Sequence, residues 1–438
     1  VDALSIIAAK RDGQSLTSEE IDFIVRSFIE GKVPDYQMAA FLMAAYLNGL
    51  NRQETKALTQ SMVQSGEILN LSELDQSLVD KHSTGGVGDK VSLVLLPWVA
   101  SAGVKVAKMS GRALGHTGGT IDKLESIPGF RTHLSVGELK EQVKRVGIAL
   151  IQASDELAPA DKKIYALRDS TATVGSISLI AASIMSKKIA GGARKLVLDV
   201  KVGRGAFAKS LPEAKELAAV MLNLAEDFGI LTSVFLTAMD EPLGRAVGNA
   251  LEVQEAIDCL RGNGPADLME VCLALGVEML LLARLAETEE EAAKKLRLAL
   301  DSGAALQKFK EWIESQGGHG RIVEQTDILP RASIVSELDA SESGYVVWID
   351  AEKVGQAVNL LGGGRLKKED QIDPSVGVVF SRKIGDEVTK GEPLLEIHAN
   401  SYEQLDRADT LLSQAVVIEE KKLLGKPKIL EVLRSQVV

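Results

Sequence analysis

Residues 104–120, VKVAKMSGRALGHTGGT, set a short apolar run directly against a glycine-rich loop. The same order recurs at residues 196–200 before KVGRGAF, and at residues 233–236 before a loop at Asp240. Helical stretches follow. Alternating strand, glycine loop and helix is the pattern of a parallel α/β sheet, whose ligands collect at the loops leaving the strand C-termini. Upstream, residues 1–66 carry apolar positions at helical spacing (Ile21, Ile24, Val25, Phe28; Met38, Phe41, Leu42, Ala45). Thr17-Ser18-Glu19-Glu20 reads as a capping box and Pro34 as the opening of another helix. Residues 161–188 read as helix again, and the simplest placement returns them to the helical unit. The chain would then cross between two bodies near residues 70, 157 and 191.

After about residue 330 the texture becomes β-rich, with YVVWI, GVVFS and PLLEIHA around GDEVTKGEP. This part resembles the hammerhead and half-barrel folds that include biotinyl carriers. It has no Met-Lys-Met at the hairpin, which disfavours a swinging arm. The expectation is an α/β protein in three parts: a small all-α domain over 1–70, joined in space by 157–191; a phosphate-binding α/β catalytic domain with a mostly parallel sheet over 71–330; and a hammerhead-like β-rich domain over 331–438. A chain of 438 residues is long enough for about three domains of roughly 150 residues each.

With 50 Lys and Arg against 61 Asp and Glu the net charge is −11. Nothing in the global field draws this chain to a nucleic acid polymer or an anionic membrane, so any anion must be held by a local cluster of donors. Cys259 and Cys272 have no metal-ligand or CxxC spacing, which fits a reducing compartment. The N-terminus has neither the basic start nor the apolar core of a signal peptide, and the longest uncharged stretch is too short and polar to span a bilayer. A cytoplasmic protein is expected.

Two loops concentrate donors. Residues 81–89, KHSTGGVGD, offer Lys81, His82, Ser83, Thr84 and three glycines; residues 108–120 repeat the arrangement with Lys108, Ser110 and Thr120. Backbone N–H groups and cationic side chains at such loops converge on an oxyanion. A P-loop fails because Lys90 follows Asp89 and not Gly, and a dinucleotide fingerprint begun at Gly86 meets Val91 in place of its third glycine. A free or sugar-bound phosphate remains. A third constellation, Tyr165, Arg168, Ser183 and Lys187, is rich in donors and nearly free of acceptors, and so suits a planar ring with carbonyl oxygens. Lys162, Lys163 and Lys188 read as a solvated basic stripe. Asp122 and Glu125 read as loop anchors or caps, not as a glycosidase pair.

KHSTGGVGD, SGRALGHTGGTIDKLE (110–125), ADKKIYALRDSTATVGSISLIAASIMSKK and LDVKVGRGAF together resemble the pyrimidine-nucleoside and thymidine phosphorylases over nearly the whole chain. The resemblance implies a catalytic fold similar to that of anthranilate phosphoribosyltransferases, a homodimer, and reversible phosphorolysis of uridine, thymidine and deoxyuridine to free base and α-D-(2-deoxy)ribose 1-phosphate, with inversion at C1′. It also implies phosphate on Lys81, Ser83, Ser92, Lys108, Ser110 and Thr120, and pyrimidine on Arg168, Ser183 and Lys187 with Tyr165 nearby. His82 stands beside the leaving base as general acid, protonated under the influence of the phosphate, with His116 as runner-up. His133, His319 and His398 read as surface or packing residues. No cofactor is expected beyond phosphate as co-substrate. In broad-specificity relatives a potassium ion is held at the positions of Gly88, residue 90, Leu243, Ala246 and Glu255, with a threonine at position 90; here Lys90 stands there, and its ammonium is expected to replace the ion. Two other classes stay open: a phosphoribosyltransferase of the related fold, and a non-catalytic sugar-phosphate or pyrimidine binder.

Overall fold

The Thr17 hydroxyl accepts from the Glu20 N–H and the Glu20 carboxylate accepts from the Thr17 N–H, so α2 (Ser18–Ile29) begins at the expected capping box. Asn51 and Glu54 start α4 (Arg52–Gln64) in the same way. With α1 (Ala3–Arg11) and α3 (Asp35–Asn48), which Pro34 opens, these helices bury Ile21, Ile24, Phe28, Phe41, Leu42 and Leu58 in one core. Ala160 and Ile164 of α8 (Pro159–Ser170) and Leu179 and Ala182 of α9 (Ile177–Ala190) join that core. The computed structural model describes residues 2–74, 76–112, 118–152, 157–365, 370–423 and 425–435.

The single helix expected over 161–188 is two helices. The chain turns between α8 and α9, with Ala172 at φ 57°, and the buried Arg168 guanidinium binds the carbonyls of Thr173, Val174 and Leu179. A break stabilised by a side chain from the preceding helix has no local sequence signature.

The α/β body runs β1 (Asp80–Ser83), α5 (Val91–Ser101), β2 (Val106–Ser110), α6 (Thr120–Glu125), α7 (Val136–Val146) and β3 (Ile148–Gln152). After α8 and α9 it resumes with β4 (Lys195–Val202), α10 (Leu211–Asp227), β5 (Leu231–Ala238), α11 (Asn249–Leu260) and α12 (Ala266–Leu282). β1 pairs with β4, β4 with β5 and β2 with β3, all parallel, and a parallel bridge from Leu78 to Lys105 links the two groups. The mostly parallel sheet is therefore present. One antiparallel strand, Ile429–Arg434, returns from the end of the chain to the edge of β5. Helices cover the sheet, as parallel strands require, and its main core gathers Val91, Leu95, Trp98, Phe235, Leu275 and Trp312 among others.

The C-terminal β-rich body is antiparallel. Strand Pro393–Ala399 pairs with Ile334–Asp339 and Gly377–Phe380, strand Gly344–Ile349 pairs with Val416–Glu419, and two helices pack with them over a separate core. The short strand Ala246–Val247 of the α/β body pairs with Gly377–Phe380, so the two bodies share a sheet.

Candidate active site

β1 and β2 end beside each other, and each feeds a donor loop. Lys81 is wholly buried on β1, and the Lys108 ammonium, 3% exposed on β2, donates to the Lys81 carbonyl. Ser83 donates to Asp89 at 2.5 Å while its oxygen accepts from the Gly85 N–H at 3.2 Å. Ser92 is buried in the first turn of α5, Ser110 closes β2, and Thr120 opens α6. Asp122 and Glu125 both bind Arg112, and Asp122 also binds Arg365 at 2.8 Å, so these carboxylates anchor the second loop. His116 lies outside the described residues.

Lysines outnumber nearby carboxylates here, and the field shows it. Burial first, then Lys188 and Lys81, hold the Lys108 ammonium well below its ordinary pKa, against the opposing pull of Asp80 and Asp89. His82, partly buried at the end of β1, is likewise pushed well below its ordinary value by burial and then by Lys188, Lys108, Lys187 and Lys81. The sequence reading has His82 protonated beside a phosphate dianion, and a bound anion would oppose the influence of these lysines. The same four lysines place His82 between the phosphate candidates and the base candidate Lys187.

On the helical side, the Lys187 ammonium donates to Asp161 at 2.7 Å and to Ser183 Oγ at 3.1 Å. The face read as nearly free of acceptors therefore has one, Asp161, four residues before Tyr165 on the same side of α8; that spacing was the available signal. Arg168 lies with its guanidinium 5.8 Å from the Tyr165 ring centroid. Burial lowers the Arg168 pKa and raises that of Tyr165. Lys188 is not a solvated residue: it is 4% exposed and pairs with Asp80 at 2.8 Å, joining α9 to β1. Lys163, by contrast, lies at the surface over the Phe28 ring. His133 and His319 are exposed, and His398 contacts Glu396.

Lys90 fills the pocket where a potassium ion was in question. Its wholly buried ammonium stands 2.8 Å from the Leu243 carbonyl, 2.9 Å from that of Ala246 and 2.5 Å from Glu255 Oε2. Burial opposes the charge, but Glu255 and Glu252 outweigh it and raise the pKa. A Cβ on Gly244, at φ 71°, would meet this ammonium at 2.8 Å. These residues do not fit a bound alkali cation, because the ammonium occupies its oxygen cage. Among the described residues no group of three or more His, Cys, Asp or Glu could hold a metal ion. No described helix is long and apolar enough to cross a membrane.

Comparison with known proteins agrees with this architecture. Residues 4–66 match the helical bundle domain of a glycosyl transferase family, residues 75–306 its a/b domain, and residues 345–419 the pyrimidine nucleoside phosphorylase C-terminal domain. A pyrimidine-nucleoside phosphorylase of Geobacillus stearothermophilus is 53% identical over 403 residues, covering 92% of this chain and 93% of that protein. One of Staphylococcus aureus (strain bovine RF122 / ET3-1) is 50% identical over 416 residues, covering 95% and 96%. The crystal structure of anthranilate phosphoribosyltransferase from Thermus thermophilus superposes with a TM-score of 0.58 at 20% identity, covering 71% of this chain and 99% of that one, which is a likeness of fold. The chain belongs to the pyrimidine-nucleoside phosphorylase family.

Proposed function

We propose that the protein catalyses phosphorolysis of pyrimidine nucleosides to the free base and a pentose 1-phosphate. The observation that carries this reading is the cluster at the ends of β1 and β2, where Lys108 is buried with a carbonyl as its hydrogen-bond acceptor and His82 sits beside it. A buried lysine that donates to a carbonyl at a glycine loop is a place for an anion.

Breaking the glycosidic bond develops positive charge on the sugar and negative charge on the departing base. Phosphate held by Lys81, Ser83, Ser92, Lys108, Ser110 and Thr120 would attack C1′ from the face opposite the base, inverting it, while its own charge favours the cationic sugar. Lys187 and the donors left on Arg168 would meet charge on the pyrimidine carbonyls, with Ser183 and Tyr165 orienting the ring. Asp161 aims the Lys187 ammonium through its hydrogen bond. His82, once phosphate has raised its proton affinity, would donate to the leaving base.

The reading extends to a homodimer. α3 exposes Tyr36, Ala40, Met43 and Leu47 along one face, and α1 adds Leu4 beside it; such a contiguous apolar stripe favours a partner surface. A reducing, cytoplasmic setting is part of the same proposal, supported by Cys259 and Cys272, both buried and free.

The test is release of free base from uridine and from thymidine with phosphate, and from uridine 5′-monophosphate with diphosphate. Phosphorolysis requires release with phosphate from at least one nucleoside, and acceptance of both requires kcat/KM values within about a hundredfold. Release only from the 5′-monophosphate with diphosphate would indicate a phosphoribosyltransferase, and no release in either arm a binding protein.

A further inference from the structure

β4 is buried on both faces, yet it carries Asp199 and Lys201, two residues apart and therefore on one face, each wholly buried. Asp199 Oδ1 accepts from the Thr237 hydroxyl at 2.6 Å. Its Oδ2 is shared: the Lys201 ammonium stands 2.8 Å away and the Lys81 ammonium 3.4 Å away, and neither approach is aligned as a hydrogen bond. A second carboxylate, Asp89, faces the same ammoniums. Burial would raise its pKa, but Lys201, Lys81, Lys123 and the Ser83 hydroxyl hold it ionised. Lys201 is in turn kept charged by Asp199 and Asp89 against burial. The end of β4 is also tied to the loop after β1, with the Thr84 N–H on the Asp199 carbonyl at 3.0 Å and the Lys201 N–H on Thr84 Oγ1 at 2.9 Å.

We infer that Lys201 is a positioning residue for the phosphate site: by compensating Asp199 it leaves the Lys81 ammonium free to engage the incoming anion. The inference rests on the assignment of this loop to phosphate. Two ammoniums now balance two carboxylates beneath the loop. Without Lys201, Asp199 would be left to Lys81, with Lys123 the other ammonium acting on Asp89, and the floor of an anion site would become more negative. One uncompensated unit charge about 6–8 Å from the anion, at an effective dielectric of ~20, changes affinity roughly thirty- to a hundredfold. A merely structural pair would be expected to hurt the protein in the same way whichever member is removed, because either loss leaves a buried charge. A charge-compensating pair makes opposite predictions for its two members.

The experiment measures KM for phosphate and for uridine in the full-length protein, with phosphate affinity confirmed by calorimetry. Lys201→Met should raise the phosphate KM about tenfold or more and leave the uridine KM within about twofold. Asp199→Asn should lower the phosphate KM, and the double variant should return it to within roughly threefold of the parent. Should Lys201→Met not fold, the sign of Asp199→Asn and the value for the double variant still decide. A rise in phosphate KM for Asp199→Asn, or a double variant no better than Lys201→Met, overturns the inference. Lys81→Met and Lys108→Met serve as controls: if neither raises the phosphate KM, the phosphate assignment itself falls and takes the inference with it. If both raise it while Lys201 and Asp199 do not respond with opposite sign, the inference alone falls.

Discussion

Lys90 is a cation that cannot dissociate. Its ammonium is held by Leu243, Ala246 and Glu255, and the backbone wraps it through Gly88 and Gly244, both at φ 71°. Activity should therefore be indifferent to replacing potassium with a bulky organic cation, whereas Lys90→Thr, which opens an oxygen cage, should become potassium-dependent. Potassium activation of the parent would contradict this. The lowered pKa of His82 gives a second expectation. His82 and Lys108 both bind protons less readily than usual in the free protein, so near neutral pH phosphate binding should take up protons, and phosphate affinity should fall as pH rises. Calorimetry in buffers of different ionisation enthalpy reads the uptake directly; net release would exclude it. His82→Asn should keep phosphate binding, remove its share of the uptake, and lower kcat roughly 10²-fold. Lys90 was legible because its position, set against the resemblance, demanded an explanation. Asp80, Asp199 and Lys201 were not, since a charged residue within an apolar run looks like an exposed one until its partner, distant in sequence, is known.

Elements were read well where their signals are local and missed where they are tertiary. The capping box at Thr17 and the strand-loop alternation are written in adjacent residues; the break between α8 and α9 depends on Arg168 reaching three carbonyls. Arg168 thus has a structural duty beside its proposed contact with the base. Arg168→Met should raise the nucleoside KM and also destabilise the fold by at least ~2 kcal/mol, because buried carbonyls lose their donor. A raised KM with an unchanged unfolding midpoint would show that the turn does not depend on it. α3 carries the other expectation at this scale. Leu47 is 72% exposed and Tyr36 74% exposed on the face assigned to the partner, so Leu47→Glu with Tyr36→Glu should yield monomers in sedimentation without loss of helix content. Unchanged sedimentation of that variant would move the interface elsewhere.

Across the whole molecule, the proposed phosphate ligands lie on the α/β body and the proposed base ligands on α8 and α9, so reaction requires the two bodies to bring their halves together. The sequence placed the crossings near residues 70, 157 and 191, and in the structure these segments converge. Leu69, Leu71, Leu74, Leu157, Ala158 and Ala190 share one small apolar cluster with Leu139, Val143 and Ile151, and the Leu69 N–H donates to the Ala190 carbonyl at 2.7 Å. Bundled connections of this kind can act as one hinge, with α9 packing on α4 on one side and on α10 on the other. Gly192 is the residue on which that bundling turns: it sits at φ 78°, and a Cβ there would meet the Leu69 carbonyl at 2.5 Å. Gly192→Ala should therefore push the first and third crossings apart and alter kcat and KM together, although residue 192 has no assigned contact with substrate. Small-angle scattering tests the motion itself. The parent should contract when phosphate and uracil are both present and not with phosphate alone, and Gly192→Ala should contract less. Identical scattering with and without both ligands would remove the closure, and a normal Gly192→Ala response would move the hinge away from these crossings.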